Sequence, residues 1–257
     1  MPDAVVAFVN STTISGGVGM SAVTAPDVCS QHLRADHVRE HGSVLADLER
    51  RLLVWIAVRL PYWINADHLT ALGCLAMGAA GLAFAAAASS PRMLLFVPAC
   101  LALNWFGDSL DGTVARVRQQ QRPRYGYYLD HVVDLANTAM LFTGMAWSGL
   151  MQPTLALGLL VAYVVLCAET FLAAHAVGVF RLSFSGFGPT ELRVVLSVGA
   201  IAATIRPVVD PFGLGPYALF DIGGAVAIVG MGIAFLFSGI RNARVLYRAE
   251  PLPERRT

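Results

Sequence analysis

Lysine is absent from the 257-residue sequence, and charged residues make up only 14% of it. Hydrophobic residues reach 56%, and the mean hydropathy is +0.61. This shortage of charge lies outside the usual range of soluble domains. The composition therefore predicts a protein whose solvent is a lipid bilayer.

Cysteine is also scarce, and the four cysteines are far apart, with no paired spacing of the kind that ligates zinc. We interpret them as packing residues. Residues 1–23 lack the positively charged start of a secretory signal. Because residues 1–42 show no sustained periodicity, we expect a disordered or poorly ordered N-terminal tail.

Long apolar runs recur along the rest of the chain, and most are near the roughly 20 residues that a spanning helix needs. They cover residues 70–88, 93–106, 127–150, 154–180, 192–205 and 219–240. The fifth run is short, so we begin its helix near Pro189. The sequence predicts an all-α integral membrane protein with six transmembrane helices in one domain, residues 62–245, followed by a cytosolic tail, 246–257.

Sixteen of the 18 arginines fall on one side of these predicted helices, and only Arg92 and Arg206 fall on the other. The positive-inside rule then places both termini in the cytosol. We expect a bacterial inner membrane protein with a basic cytosolic face that suits anionic headgroups and nucleotide phosphates. The arginines flank membrane helices and form no separate basic domain, so we expect no nucleic-acid partner.

Residues 43–61 precede the first predicted span and have the pattern of an amphipathic helix. Their apolar residues recur at helical spacing while the arginines point elsewhere, and Pro61 ends the pattern. Trp55, Tyr62 and Trp63 are residue types enriched at membrane interfaces. We expect this helix to lie on the membrane surface.

Four aspartates carry the clearest chemical signal. Asp108 and Asp111 are three residues apart, and Asp130 and Asp134 are four apart, so each pair lies on one face of a helix. Two antiparallel helices joined by a cytosolic turn would bring the pairs together. Four carboxylates in an apolar bundle repel one another unless a positive charge lies between them. Oxygen ligands suit Mg²⁺ or Mn²⁺, and we expect two ions.

Small residues accompany the acids. Gly112 and Ala115 leave one helix face bare, so that a planar base or a sugar can approach the backbone, and Gly126 does the same on the next helix. Arg116 is placed either to reach a phosphate or carboxylate or to anchor the helix end at the interface.

These residues form the pattern D-x2-D-G-x2-A-R, a gap of nine residues, then G-x3-D-x3-D, which resembles the signature of the CDP-alcohol phosphotransferase family. The segment from Asn65 to Gly73 is similar to the family's P-[ND]-x-[LV]-T-x-x-G segment, with Ala66 in place of proline. The resemblance spans roughly residues 60 to 240. It implies transfer of a substituted phosphate group from a CDP-linked donor to an alcohol in phospholipid biosynthesis, with release of CMP.

The family resemblance also implies a role for each residue of the signature. Asp108, Asp111 and Asp130 would be metal ligands, and Asp134 would both ligate metal and act as general base. CDP would be bound by Asp108 and Asp111 together with Gly112, Ala115, Arg116 and Gly126. A homodimer is a further implication of the resemblance.

Other ionisable residues fall inside or beside the apolar runs: Glu169, His175, Glu191 and Arg193. They would either shape the acceptor pocket or form internal ion pairs and hydrogen bonds. We interpret His131, beside Asp130, as a local hydrogen-bond partner.

The donor and the acceptor remain open at this stage. Asp130-His131 and the segment 188–191, Gly-Pro-Thr-Glu, are similar to the choline and ethanolamine phosphotransferase branch, whose donor is a CDP-amino alcohol. Other bacterial branches use CDP-diacylglycerol with serine, inositol phosphate or glycerol phosphate. The alternative from another class is an ion-coupled membrane transporter, or an ion-binding membrane protein, whose aspartates coordinate the ion. A catalytically dead relative is disfavoured because every signature residue is present.

Overall fold

A computed structural model describes residues 44–177, 189–210, 213 and 215–250, and most of these are helical. The α-helices, in chain order, are α1 (Val44–Arg59), α2 (Ala66–Ala86), α3 (Val97–Val117), α4 (Pro123–Trp147), α5 (Pro153–Ala176), α6 (Pro189–Ile205) and α7 (Leu219–Ala249). A 3-10 helix, Pro91–Phe96, leads into α3. The strands β1 (Val208–Val209) and β2 (Tyr217–Ala218) form an antiparallel pair between α6 and α7.

The helix ends follow from local sequence. Asn65 caps α2: its Oδ1 accepts a hydrogen bond from the His68 N–H, while the Asn65 N–H donates to His68 Nδ1. Pro123 and Pro153 occupy the first positions of α4 and α5, where a missing N–H costs nothing. The helix α1 ends at Arg59, two residues before Pro61.

Four stretches of helix among the described residues are long and apolar enough to cross a membrane: Ala66–Ala86, Pro91–Val117, Pro153–Ala176 and Leu219–Ala249. The helices α4 and α6 are not among them. The N-terminal half of α4 carries Asp130 and Asp134, and α6 has only 17 residues. The fold is therefore a helical membrane architecture in which these four stretches suit a bilayer by composition.

Glycines allow α2 to pack closely against both α3 and α4. A Cβ at Gly107 of α3 would lie 2.6 Å from the carbonyl oxygen of Leu69 and 2.8 Å from the nitrogen of Gly73, both in α2. At the other end of α2, a Cβ on Gly144 of α4 would overlap the carbonyl oxygen of Gly81. Small residues at such crossings let helix backbones approach within a bilayer.

The helix α1 packs on α3 through Leu53 and Ala57, which are buried against Leu110 and Val114. Leu52, which is four residues before Ile56 and is one of the apolar residues at helical spacing, is exposed. At the end of α3, the Arg118 guanidinium donates hydrogen bonds to backbone carbonyls between α1 and α2, those of Leu60, Pro61, Tyr62 and Ile64. These bonds tie the α1–α2 turn to the helix that carries Asp108.

Some sequence predictions fall outside the described residues. They concern the tail at 1–42, the last residues of the chain from 251 on, and Gly188. The last helix continues to Ala249, beyond the predicted domain end at residue 245. The helix α3 extends past the apolar run that ends at Phe106 and so carries Asp108 and Asp111 within it.

Candidate active site

Two facing helices bring the four aspartates to one cavity. Asp108 and Asp111 lie on α3, Asp130 and Asp134 lie on α4, and all four line the same cleft. The cavity has a volume of about 10 Å³, which is room for about one water-sized atom. Its other lining residues are Thr70, Gly73, Cys74, Asn104, Val133 and Asn137. The helical spacing of the aspartates thus corresponds to a shared site in the structure.

Asp111 is held in place from two sides. The Thr70 hydroxyl on α2 donates a hydrogen bond of 2.6 Å to Asp111 Oδ2. The N–H of Gly112 donates to the other oxygen, Oδ1. Hydrogen bonds to a charged acceptor are among the stronger ones in proteins. The Asp111 carboxylate is therefore fixed in orientation at the α2–α3 crossing.

Asp108 is held by an arginine from a distant part of the chain. Arg193 on α6 donates from Nη2 to Asp108 Oδ2 at 2.7 Å, and from Nε to Asn104 Oδ1 at 2.8 Å. The Asn104 amide in turn donates to the Gly73 carbonyl oxygen at 2.9 Å. The Arg193 side chain is only 13% exposed and that of Asp108 33% exposed. This network links α2, α3 and α6 beside the cavity.

The α4 side of the cavity is more open. The side chain of Asp130 is 54% exposed, and Asp134, one turn further along, is half-buried. His131 Nδ1 lies 2.8 Å from the Tyr127 carbonyl oxygen and 3.5 Å from Asp130 Oδ2. Its ring also packs against that of Phe171 on α5, with the ring centroids 4.9 Å apart. These contacts agree with a local hydrogen-bonding role for His131.

The four carboxylates interact electrostatically across the cavity. Asp134 experiences the negative charges of Asp108, Asp111 and Asp130 and the positive charge of Arg193. Among the described residues that act on Asp134, Arg193 supplies the positive charge against three negative ones. Repulsion of this kind favours the binding of a cation between the acids.

The chemistry of the cavity fits a hard divalent cation. Carboxylate oxygens converge from two helices, and they are the ligands that Mg²⁺ and Mn²⁺ prefer. Asn137, which also lines the cavity, has a buried Oδ1 that accepts no hydrogen bond from any described residue. Among the residues that the structure describes, no group of three or more His, Cys, Asp and Glu side chains is placed to hold a metal ion. The fit of the cavity to such a metal is therefore one of ligand type.

The small residues of the signature lie at the C-terminal end of α3 and the N-terminal end of α4. Ala115 lines a second cleft of about 370 Å³, together with Asn65, Ala66, Gln120, Gln121 and Arg122. The Arg116 guanidinium folds back so that a Cβ on Gly112 would lie 3.3 Å from its Nη1, and its Nη2 donates to Thr113. A Cβ on Gly126 would meet nothing within 4 Å. Both Arg116 and Gly126 are exposed.

The four acceptor candidates lie in different surroundings. Arg193 contacts Asp108, as described above. Glu169 of α5 accepts hydrogen bonds on Oε1 from Ser238 and Asn242 of α7, at 3.0 and 2.8 Å. His175 is exposed in the last turn of α5, and Glu191 is exposed in the first turn of α6. Glu169 thus makes the internal hydrogen bonds that the sequence left as an alternative.

Three polar residues that line the cavity were not assigned a role from the sequence: Thr70, Asn104 and Asn137. Asn104 interrupts an apolar run four residues before Asp108, and Asn137 follows Asp134 by three. Both are therefore on the face of their helix that carries the acids. An amide at helical spacing from a signature aspartate was the signal that could have identified them.

Known proteins are similar to this chain in sequence and in fold. The sequence model of the family described as CDP-alcohol phosphatidyltransferase matches residues 63–236. The archaetidylinositol phosphate synthase of Methanothermobacter thermautotrophicus is 34% identical over 158 residues, which cover 60% of this chain and 73% of that protein. A crystal structure of Mycobacterium tuberculosis phosphatidylinositol phosphate synthase with CDP-DAG bound aligns with a TM-score of 0.54 at 21% identity, covering 77% of this chain and 94% of that one.

Proposed function

We propose that this chain, which belongs to the CDP-alcohol phosphatidyltransferase family, transfers a phosphatidyl group from CDP-diacylglycerol to the hydroxyl of a polar alcohol and releases CMP. Family membership makes the protein an enzyme that transfers substituted phosphate groups, and an integral membrane protein. The observation that carries the proposal is the cavity that Asp108, Asp111, Asp130 and Asp134 line together. The ion-coupled transporter considered from the sequence is not retained, because the matched family consists of transferases.

The choice of donor is supported by the relatives. The Mycobacterium tuberculosis protein was solved with CDP-DAG bound, and both relatives are named as inositol phosphate lipid synthases. By analogy, CDP-diacylglycerol is the donor we favour over a CDP-amino alcohol. The similarity of Asp130-His131 to the choline and ethanolamine branch rests on far fewer residues. The acceptor is a polar alcohol, and an assay with a panel of acceptors identifies it.

Each aspartate has a proposed role. Asp108, Asp111, Asp130 and Asp134 would hold Mg²⁺ or Mn²⁺, most simply as a pair of ions. Bound there, the ions would neutralise charge on the pyrophosphate oxygens of the donor. Asp134 would accept the proton of the acceptor hydroxyl as that oxygen attacks the phosphorus distal to cytidine. The P–O bond to CMP breaks as the new P–O bond forms.

The CDP group would bind at the cytosolic ends of α3 and α4. Asp108 and Asp111 would reach it from the cavity, and Gly112, Ala115, Arg116 and Gly126 would line its path. The cleft beside Ala115, about 370 Å³ in volume, has the size range of a small-molecule pocket. Arg116 is exposed and close enough to Gly112 to turn toward a phosphate placed there.

The acceptor would approach from the side of α5 and α6. Of the candidates, Glu191 and His175 are exposed at the ends of these helices, where a polar alcohol could reach them. Glu169 and Arg193 make internal contacts in the structure. We propose that these four residues shape the pocket, the first two by direct contact.

The membrane arrangement we propose has six spans: the four apolar stretches together with α4 and α6. In this arrangement the helix α1 lies at the membrane surface, where Trp55, Val58, Tyr62 and Trp63 are exposed. The termini and the active site face the cytosol of a bacterium, and the protein is a homodimer. The catalytic domain would cover residues 62–245, with the interfacial helix at 43–61, a poorly ordered tail at 1–42 and a cytosolic tail after 245.

The test is to incubate the purified protein with radiolabelled CDP-diacylglycerol, or with CDP-choline and diacylglycerol, in the presence of Mg²⁺ or Mn²⁺. The panel of acceptors for CDP-diacylglycerol contains serine, glycerol phosphate, inositol phosphate and inositol. We expect CMP release and a new labelled lipid with one of these acceptors, and loss of both products when EDTA is added. A product from CDP-choline alone would replace the proposed donor, and no CMP release with either donor would refute the function.

A further inference from the structure

We propose that Arg193 is a positioning residue that sets the orientation of Asp108 for divalent-cation binding, through a network that includes Asn104 and Gly73. This inference rests on the proposed function, since it concerns the cation that the four aspartates would hold. It gives Arg193 a role toward Asp108 that is separate from contact with the acceptor.

The network has two anchor points one helical turn apart. Asn104 and Asp108 are four residues apart on α3, so their side chains lie on the same face. The Arg193 guanidinium bridges them, with Nε on Asn104 Oδ1 at 2.8 Å and Nη2 on Asp108 Oδ2 at 2.7 Å. A planar guanidinium held at two edges has little freedom to rotate. Asp108 therefore meets a fixed donor.

Asn104 is itself held by the backbone of α2. It is 1% exposed, and its Nδ2 donates to the Gly73 carbonyl oxygen at 2.9 Å. This contact is possible because Gly107 and Gly73 let the two helices approach closely. Because the amide nitrogen is occupied by Gly73, the amide oxygen points to Arg193. The chain of contacts runs from the α2 backbone to the Asp108 carboxylate.

The consequence for Asp108 concerns its two oxygens. Oδ2 accepts the hydrogen bond from Arg193, so Oδ1 is left for a cation in the cavity. The partial burial of the Arg193 guanidinium strengthens its hold on the carboxylate. Residues that orient a metal ligand in this way typically contribute about 10-fold to 100-fold in metal affinity.

The test measures Mn²⁺ binding to the purified full-length protein without donor or acceptor, from the electron paramagnetic resonance signal of unbound Mn²⁺. We expect Arg193→Gln to weaken Mn²⁺ binding by roughly 10-fold or more. Arg193→Lys keeps the charge but loses the Nε donor to Asn104, so its affinity should fall between those of the glutamine variant and the wild type. If the glutamine variant does not fold, the lysine variant alone must still bind more weakly than wild type.

The matched control is Arg206→Gln, which removes one positive charge from an exposed position at the end of α6 and should leave Mn²⁺ affinity unchanged. Unchanged or tighter Mn²⁺ binding by a folded Arg193→Gln protein would overturn the proposal. If Arg193→Gln lowers the thermal stability of the metal-free protein but keeps the wild-type Mn²⁺ affinity, Arg193 only ties α6 to α3. That result would also overturn the proposal. If the variants bind Mn²⁺ as expected but the wild-type protein releases no CMP, the proposed function is refuted. The positioning role of Arg193 would still stand.

Discussion

The two helices that carry the aspartates are anchored to α2 at different distances from the acids. Gly107, the crossing point of α3, is next to Asp108 in sequence. Gly144, the crossing point of α4, is ten residues from Asp134, or about 15 Å along a helix. Asp108 and Asp111 thus belong to a tightly packed crossing, whereas Asp130 and Asp134 lie on a part of α4 further from its anchor.

The two aspartate pairs also differ in how firmly neighbouring residues hold them. On α3, Arg193 and Thr70 hold the carboxylates from neighbouring helices. On α4, Asp130 is exposed and the residues from 123 to 128 that begin the helix are exposed as well. We infer that α3 supplies the fixed half of the site and α4 the half that substrates approach. The general base proposed at Asp134 is on that second half.

The largest effect is expected from removing a carboxylate on the fixed half. Asp108→Ala deletes one proposed metal ligand and leaves Arg193 without its ion-pair partner, so CMP release should fall by roughly 1,000-fold. Asp210→Asn is the matched control, since Asp210 lies in the loop after β1 and an asparagine oxygen can still accept the Gly215 N–H. CMP release is measured on protein that elutes as wild type from size-exclusion chromatography. Near-normal release by Asp108→Ala would show that catalysis does not need the Asp108 carboxylate.

A methyl group at the α3 crossing should have the next largest effect. Gly107→Ala places a Cβ 2.6 Å from the Leu69 carbonyl oxygen, so α2 and α3 must separate. We expect a loss of about 1–3 kcal/mol in stability and a marked loss of CMP release.

Two other glycine variants sharpen this comparison. Gly144→Ala should lower stability as well, but activity less, because its crossing is far from the acids. Gly239→Ala meets nothing within 4 Å and should leave both unchanged. Thermal unfolding in detergent and CMP release are measured on all three. Equal activity losses in Gly107→Ala and Gly144→Ala would remove the distinction between the two halves.

Loss of one orienting hydrogen bond should have a moderate effect. Thr70→Val removes the donor to Asp111 Oδ2 while keeping the side-chain shape, and should lower CMP release by roughly 10-fold. Thr70→Ser keeps the hydroxyl and should stay near wild type. The rates are measured at several Mg²⁺ concentrations. A valine variant as active as the serine variant would show that Asp111 does not need this hydrogen bond.

The smallest effect is expected on the open half. Gly126→Ala adds a methyl group where nothing lies within 4 Å, so the unfolding temperature should not change. If Gly126 lines the CDP path, the KM for CDP-diacylglycerol should rise a few-fold while kcat changes little. An unchanged KM would exclude Gly126 from the donor site.

Part of this architecture could be predicted from the sequence. Helical spacing placed each aspartate pair on one face, because helix geometry is local and depends only on separation along the chain. The long apolar runs made it possible to predict a helical membrane protein. The end of α1 followed from Pro61, whose ring cannot continue a helix.

The contacts between distant segments could not be predicted in this way. The sequence left Arg193 either in the acceptor pocket or in an internal ion pair whose partner it did not name. In the structure, Arg193 Nη2 lies 2.7 Å from Asp108 Oδ2, 85 positions away. That contact depends on how α6 packs beside α3. Nor did the sequence assign roles to Asn104 or to the close approach at Gly107, since glycine and asparagine in an apolar run do not specify the neighbouring helix.

The most direct test of the account compares CMP release from CDP-diacylglycerol by wild type and Asp134→Ala, both folded, with Mg²⁺ and the identified acceptor. Loss of a general base that is also a metal ligand should reduce the rate by at least about 100-fold, without a change in size-exclusion elution. Full activity of a correctly folded Asp134→Ala protein would contradict the proposed mechanism.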